Sequence, residues 1–142
     1  MPFHRDDLPT VALEGLNKLH GEEVEMINEL ALLAAACDDP GADCEVLVES
    51  ISDCLLTFDE HVAGHFLVEE TNMERTAYPE LAEHKAAHDD MRERFDALLV
   101  AWRATPDPVP VFAFFDDYLP AWFIEHVGTF DVPTAEHVAA AG

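Results

Sequence analysis

Apolar residues recur along this chain every three to four positions and nowhere keep the two-residue rhythm of a strand. The first such stretch runs from about Thr10 to Ala36, with an inner stripe of Leu13, Leu16, His20, Val24, Ile27, Ala31 and Ala34. A turn follows from Cys37 to Asp43; Pro40 and Gly41 stop the helix, and Asp43 is placed to cap the next. The second helix is expected from about Cys44 to Arg75, with Leu55, Phe58, Val62, His65, Glu69 and Met73 inward. The segment Thr76-Ala77-Tyr78-Pro79 breaks it, and Pro79 suits the first turn of a third helix. That helix reaches about Ala104 with Leu81, His84, His88, Met91, Phe95 and Leu98 on its inner face. A proline-rich connector, Thr105 to Pro110, leads into a fourth helix with Phe112, Phe115, Leu119, Trp122 and His126 on one face. Pro120 inside it predicts a kink or a backbone hydrogen bond given over to water. The tail from Val132 to Gly142 predicts a short helix capped by Thr134. The pattern as a whole predicts an all-α fold: an antiparallel up-down-up-down four-helix bundle with a short N-terminal arm and a C-terminal tail.

Composition narrows the class. A length of 142 residues suits one domain spanning 1–142. Seven Lys and Arg stand against 30 Asp and Glu, a net charge of −23, which argues against nucleic-acid binding and against docking on anionic membranes. The acidic residues are spread along the chain, as in a highly soluble protein, whether adapted to high salt or simply acidic. No segment is long and apolar enough for membrane insertion. The N-terminus lacks a basic region followed by an apolar stretch, so no secretory signal is expected. Cys37, Cys44 and Cys54 show no CxxC spacing and read as free thiols of a cytoplasmic protein, although Cys37 and Cys44 flank one turn and could approach each other.

The inner stripes also carry ionisable residues, and burying one without a partner is costly. A single core histidine is usually satisfied by donating to a carbonyl, and His20 alone would be read that way. Seven such residues change the reading: His20, His65, Glu69, His84, His88, His126 and Asp131. His65 with Glu69, and His84 with His88, are four apart and share a helix face. A metal centre satisfies all seven at once. Their number exceeds what one tetrahedral zinc takes, and two carboxylates able to bridge suggest two adjacent metals. Affinity order alone does not choose iron; two irons fit best, and manganese or mixed occupancy stays open.

The local sequence around these residues resembles the hemerythrin family. The first helix reads Leu19-His20, then Ile27-Asn28-Glu29-Leu30; the second, His65-Phe66-Leu67-Val68-Glu69-Glu70, with Met73 and Tyr78-Pro79 beyond. The third reads Glu83-His84-Lys85 and then His88; the fourth, Trp122 to His126-Val127, with Asp131. These are similar to the family's HFxxEE, HxxxH and WxxxHxxxxD signatures, and the likeness runs from about Val11 to Asp131. It implies two irons with an oxo or hydroxo bridge. His84, His88 and His126 would hold one, His20 and His65 the other, and Glu69 and Asp131 would bridge them. It further implies reversible dioxygen binding at the iron with two histidines, for transport, storage or delivery and not for catalysis, within a pocket lined by Phe66, Met91, Trp122 and Val127. Glu70 is expected to be solvated or to support a ligand from outside.

Some features depart from the family pattern. His61 stands one turn before His65, where an aromatic is usual. It could be an extra ligand, but a hydrogen-bonded or pocket-lining role is favoured. The usual tryptophan before the first helix is missing, with Phe3 and Leu8 available to pack there. His4 and His137 read as surface residues. Dioxygen is the expected partner of a monomer, its client undefined. The competing readings are an oxygen or redox sensor acting through a separate partner, a di-iron enzyme handling peroxide or nitric oxide, and a metal-free bundle, which would strand seven polar groups in its core.

Overall fold

The computed structural model describes residues 2–142, and among these every regular element is helical. Helix α1 spans Glu14–Ala36, α2 Cys44–Arg75 and α3 Leu81–Ala104. The fourth arm of the bundle is built from α4 (Pro108–Ala113), α5 (Leu119–His126) and α6 (Val132–Ala141), joined by wide π turns at Phe114–Tyr118 and Val127–Asp131. The connectors are short, so successive arms alternate in direction, as expected of the four-helix bundle. That alternation brings the start of α1, the end of α2, the start of α3 and the end of α5 to one end of the bundle. All seven candidate ligands lie there.

Local chemistry sets the boundaries. Asp43 caps α2 by accepting from the Val46 amide, and Asp107 caps α4 by accepting from the Val109 amide. Helix α1 begins at Glu14, later than the apolar pattern suggests. The Asn17 side chain accepts from the Val11 amide and donates to its carbonyl, both at 2.9 Å, which holds the preceding residues in an extended arm. Asn28 grips the Phe3 backbone in the same two-handed way. Phe3 and Leu8 are both buried against the core, filling the place left without a tryptophan. Helix α2 closes when Ala77 takes a positive φ of 52° and the Tyr78 amide reaches back to the Met73 carbonyl. Pro79 consequently lies in the turn, ahead of α3 and not within its first turn.

Away from the ligands the core is aromatic. Phe58 meets Phe95 and Phe115 edge-on, with ring centroids 5.4 and 5.2 Å apart, packed among Ile27, Leu30, Ile51 and Leu55. Each of these fully buried side chains contributes about 1.5–3 kcal/mol of transfer free energy.

The fourth arm departs most from a simple helical reading. Pro120 falls in the first turn of α5, directly after the first π turn. A proline ring strikes the carbonyl four residues back, which for Pro120 belongs to Asp116 and for Pro133 to Thr129. Both carbonyls sit inside a π turn, where the ring is accommodated by an i→i+5 bond: Leu119 N–H to Phe114 O in the first, Val132 N–H to Val127 O in the second. Wide turns rotate less per residue, so the inner stripe recurs every four positions as Val111, Phe115, Leu119 and Phe123. Phe112, expected inside, is 39 % exposed for that reason. The predicted tail is helical, but Thr134 does not cap it. Helix α6 continues directly from the π turn, and Thr134 is buried within it.

Candidate metal centre

Every one of the seven candidate ligands is buried, none more than 3 % exposed. They form two groups whose donor atoms lie within 4.8 Å of one another: His84, His88, His126 and Asp131 in one, and His20, His65, Glu69 and Asp131 in the other. The carboxylates reach across both. Asp131 places Oδ1 3.0 Å from His84 Nε2 and 3.1 Å from His126 Nε2, and Oδ2 3.0 Å from His20 Nε2. Glu69 turns Oε1 to His65 Nε2 and Oε2 to His84 Nε2 at 3.3 Å.

The second π turn makes this possible. Residues five apart on a regular helix diverge by about 140° around its axis. The extra residue held in Val127–Asp131 removes about 100° of that rotation and sets Asp131 on the same face as His126.

Groups outside the donor set fix the rings. His65 Nδ1 donates to Glu23 at 2.6 Å, His88 Nδ1 to Glu70 at 2.9 Å and His84 Nδ1 to Thr134 Oγ1 at 2.8 Å. A neutral imidazole that donates through Nδ1 presents a lone pair at Nε2, so all three offer Nε2 to the centre. Aromatic rings complete the packing. Phe66 stacks on His88 at 3.8 Å and 4°, and Trp122 on His126 at 4.2 Å and 12°. Phe130 lies 5.4 Å from His84 and 5.3 Å from His126. Met91 and Val127 are fully buried, while Trp122 is half-buried.

The donors fit a pair of cations better than they fit each other. His65 Nε2, His88 Nε2, both Glu69 oxygens and Asp131 Oδ1 are buried with no hydrogen-bond partner. His84 Nε2 and His126 Nε2 stand 3.2 Å apart, and with Nδ1 of His84 already donating, lone pairs face each other unless a proton or a metal intervenes. Without metal, protons take that place. Burial works against the charged form of His84, yet the carboxylates of Asp131 and Glu69 beside its Nε2 raise it to about 9. Burial together with His84 and His126 pushes His88 down to about 2. Burial would raise Asp131, but the imidazoles of His126, His20 and His84 beside its oxygens hold it well below its ordinary value. Imidazole and carboxylate without thiolate is a donor set for iron, manganese or zinc.

Glu70 bonds His88 from outside the donor set, one of the two roles expected of it. His61 is outside both groups and bonds Glu22 and Glu23. His137 is half-buried and donates to the Thr76 carbonyl at 2.8 Å, while His4 is exposed. Two contributors escaped the sequence reading. Glu23 carried a signal, an ionisable residue on the inner stripe three positions after His20. Thr134 carried none, because its facing depends on the π turn.

Comparison with known proteins follows the same lines. A family model described as "Hemerythrin HHE cation binding domain" matches residues 11–129. A protein named bacteriohemerythrin from Aquifex aeolicus (strain VF5) is 28 % identical over 123 residues, covering 87 % of each chain. No solved structure matches significantly. The family match stops short of Asp131 and Thr134.

Proposed function

The chain belongs to the hemerythrin HHE cation binding domain family, and from that membership we propose that it binds dioxygen reversibly at a non-haem di-iron centre. One observation carries the reading: two buried carboxylates, Glu69 and Asp131, each reach both groups of imidazoles. In this proposal His84, His88 and His126 hold one iron, His20 and His65 the other, and the two carboxylates span them. The set with two histidines has one imidazole fewer and would be the one to accept dioxygen. Iron bound here supplies a redox-active pair that binds and releases dioxygen. The relative of Aquifex aeolicus, named a bacteriohemerythrin, supports the choice.

The chain's own part is to orient donors and keep water out. Glu23, Glu70 and Thr134 hold three imidazoles in the tautomer a metal needs, which preorganises the donors and raises their basicity. Phe66 and Trp122 cover His88 and His126 with apolar surface, and Met91 and Val127 are the buried apolar side chains proposed to complete a pocket that would keep water and stray protons out. No helix among the described residues is long and apolar enough to cross a membrane.

The test is metal analysis combined with absorption spectra under argon, dioxygen and azide. The expected result is two irons per chain, a dioxygen-dependent band that disappears under argon, and an altered spectrum with azide. A single zinc without iron, or oxidation that argon does not reverse, overturns the carrier reading.

A further inference from the structure

Beside the ligands lies a cluster that the proposed centre does not use. His61 and His65 sit four apart on α2 and turn toward successive carboxylates of α1. His61 Nε2 is 2.8 Å from Glu22 Oε2, and its Nδ1 is 3.2 Å from Glu23 Oε2. The same Glu23 oxygen is 2.6 Å from His65 Nδ1. Glu22 is 40 % exposed and His61 15 %, while Glu23 and His65 are each 1 % exposed.

The geometry fixes the charge of His61. A carboxylate only accepts hydrogen bonds, and a neutral imidazole donates through one nitrogen alone. Two carboxylates on two nitrogens therefore require the doubly protonated, cationic ring. The environment of His61 agrees: its bond to Glu23 raises it above its ordinary value against the effect of burial. Glu23 Oε1 has no partner, so nearly all that answers this buried carboxylate comes from the two imidazoles on its other oxygen.

We propose that His61 is a positioning residue that divides the hydrogen-bonding capacity of Glu23 between itself and His65, and thereby limits the strength of His65 as a metal donor. A carboxylate that accepts from His65 alone draws its Nδ1 proton harder and makes Nε2 more basic. Replacing the cation with an apolar side chain strengthens His65 and also removes a nearby positive charge, and both effects favour a bound cation. With iron, both favour the ferric over the ferrous form. His61 is thus a brake that keeps the centre reducible, an extension that rests on the di-iron reading, whereas the brake on His65 holds for any divalent metal.

The experiment uses zinc as its probe, in chelator-competition titrations of the full chain, beside nitrogen-15 NMR of the histidines in the metal-free protein. The variants are His61→Phe, His61→Lys and Glu22→Gln. His61→Phe is expected to bind zinc several-fold more tightly than the natural chain and to shift the His65 Nδ1 proton toward a stronger hydrogen bond. His61→Lys, which restores a cation able to donate to both carboxylates, should return both readouts toward the natural values. The half-exposed Glu22→Gln leaves the packing in place and should tighten the His61–Glu23 bond, weakening zinc binding slightly. A role in packing alone predicts weaker zinc binding in His61→Phe and no rescue by lysine. That result, or a His61 ring carrying one proton at pH 7, overturns the proposal. Failure of the natural chain to load iron would sink the dioxygen reading while leaving the zinc titration to decide the role of His61.

Discussion

Replacing Thr134 with valine deletes one hydroxyl with almost no change of side-chain volume. In the folded chain Thr134 is 2 % exposed, and its hydroxyl accepts from His84 Nδ1 at 2.8 Å. No other polar group bonds that nitrogen, so the substitution leaves a buried N–H without an acceptor. An orphaned buried donor costs about 1–3 kcal/mol. At roughly 3 °C per kcal/mol for a chain of this size, the metal-free variant should melt roughly 3–9 °C lower. The metal-loaded protein should show a separate effect. Removing a partner that orients a ligating histidine typically costs about 10–100-fold in metal affinity, or about 1.4–2.8 kcal/mol. Thr134→Ser keeps the hydroxyl while losing a methyl group, so it should retain most of the affinity despite a slight loss of packing. The assays are thermal unfolding of the metal-free proteins and chelator competition for iron or zinc. Unchanged metal affinity in Thr134→Val, or a loss in Thr134→Ser equal to that in Thr134→Val, would refute the hydrogen-bond account and leave Thr134 as packing.

Three further outcomes are expected. Glu69→Ala removes a donor that reaches both imidazole groups, so iron content should fall from two per chain to one or none, read by elemental analysis; two retained irons would show that Glu69 does not bridge. Glu70→Ala should weaken metal binding toward the lower end of the same 10–100-fold range, because Glu70 is 20 % exposed and water can replace its bond to His88; a loss beyond that range would make Glu70 a ligand. The metal-free protein should lose stability on both sides of neutrality. His84, raised to about 9 from about 6.5 in an unfolded chain, contributes stability that is complete below pH 6.5 and lost as pH rises through 9. His88, lowered to about 2, is held neutral in the fold, so the stability linked to it declines as pH falls below 6.5. Urea unfolding from pH 5 to 10 should therefore show a maximum near neutrality that flattens on metal loading; a monotonic rise to pH 10 would contradict the assignment of His84.

The legible part of this protein is its first three arms. Leu55, Phe58, Val62, His65, Glu69 and Met73 recur at helical spacing and are all buried, so periodicity alone locates the inner face of α2. The seven candidate donors are legible for the same reason: an ionisable residue repeated on apolar stripes needs a partner, and the antiparallel arrangement supplies one location. Legibility fails where rotation per residue changes. Phe112 is misplaced because a stripe counted at 3.6 residues per turn goes out of phase beside a π turn. Thr134 is misread as a cap because hydroxyl residues near an apparent boundary ordinarily cap. Glu23 was legible in type but hidden by its neighbours Glu22 and Glu25, which look like the same solvated acidic face. The start of α1 was set by Asn17 gripping Val11, a contact between side chain and backbone that leaves no periodic trace.

The two π turns also bear on which changes of chain length the fourth arm tolerates. In a regular helix, deleting one residue swings everything beyond it by about 100° and would carry a donor out of the site. Within Val127–Asp131 a deletion only converts a wide turn into an ordinary one. His126 and Asp131 then become four apart and remain about 40° from alignment, the offset of any i, i+4 pair. The remaining cost is the Pro133 ring, which would again meet a carbonyl, at about 3 kcal/mol. The segment that carries the candidate donor Asp131 therefore has a spare residue, and a Thr129 deletion should lower the melting temperature while leaving the metal complement intact.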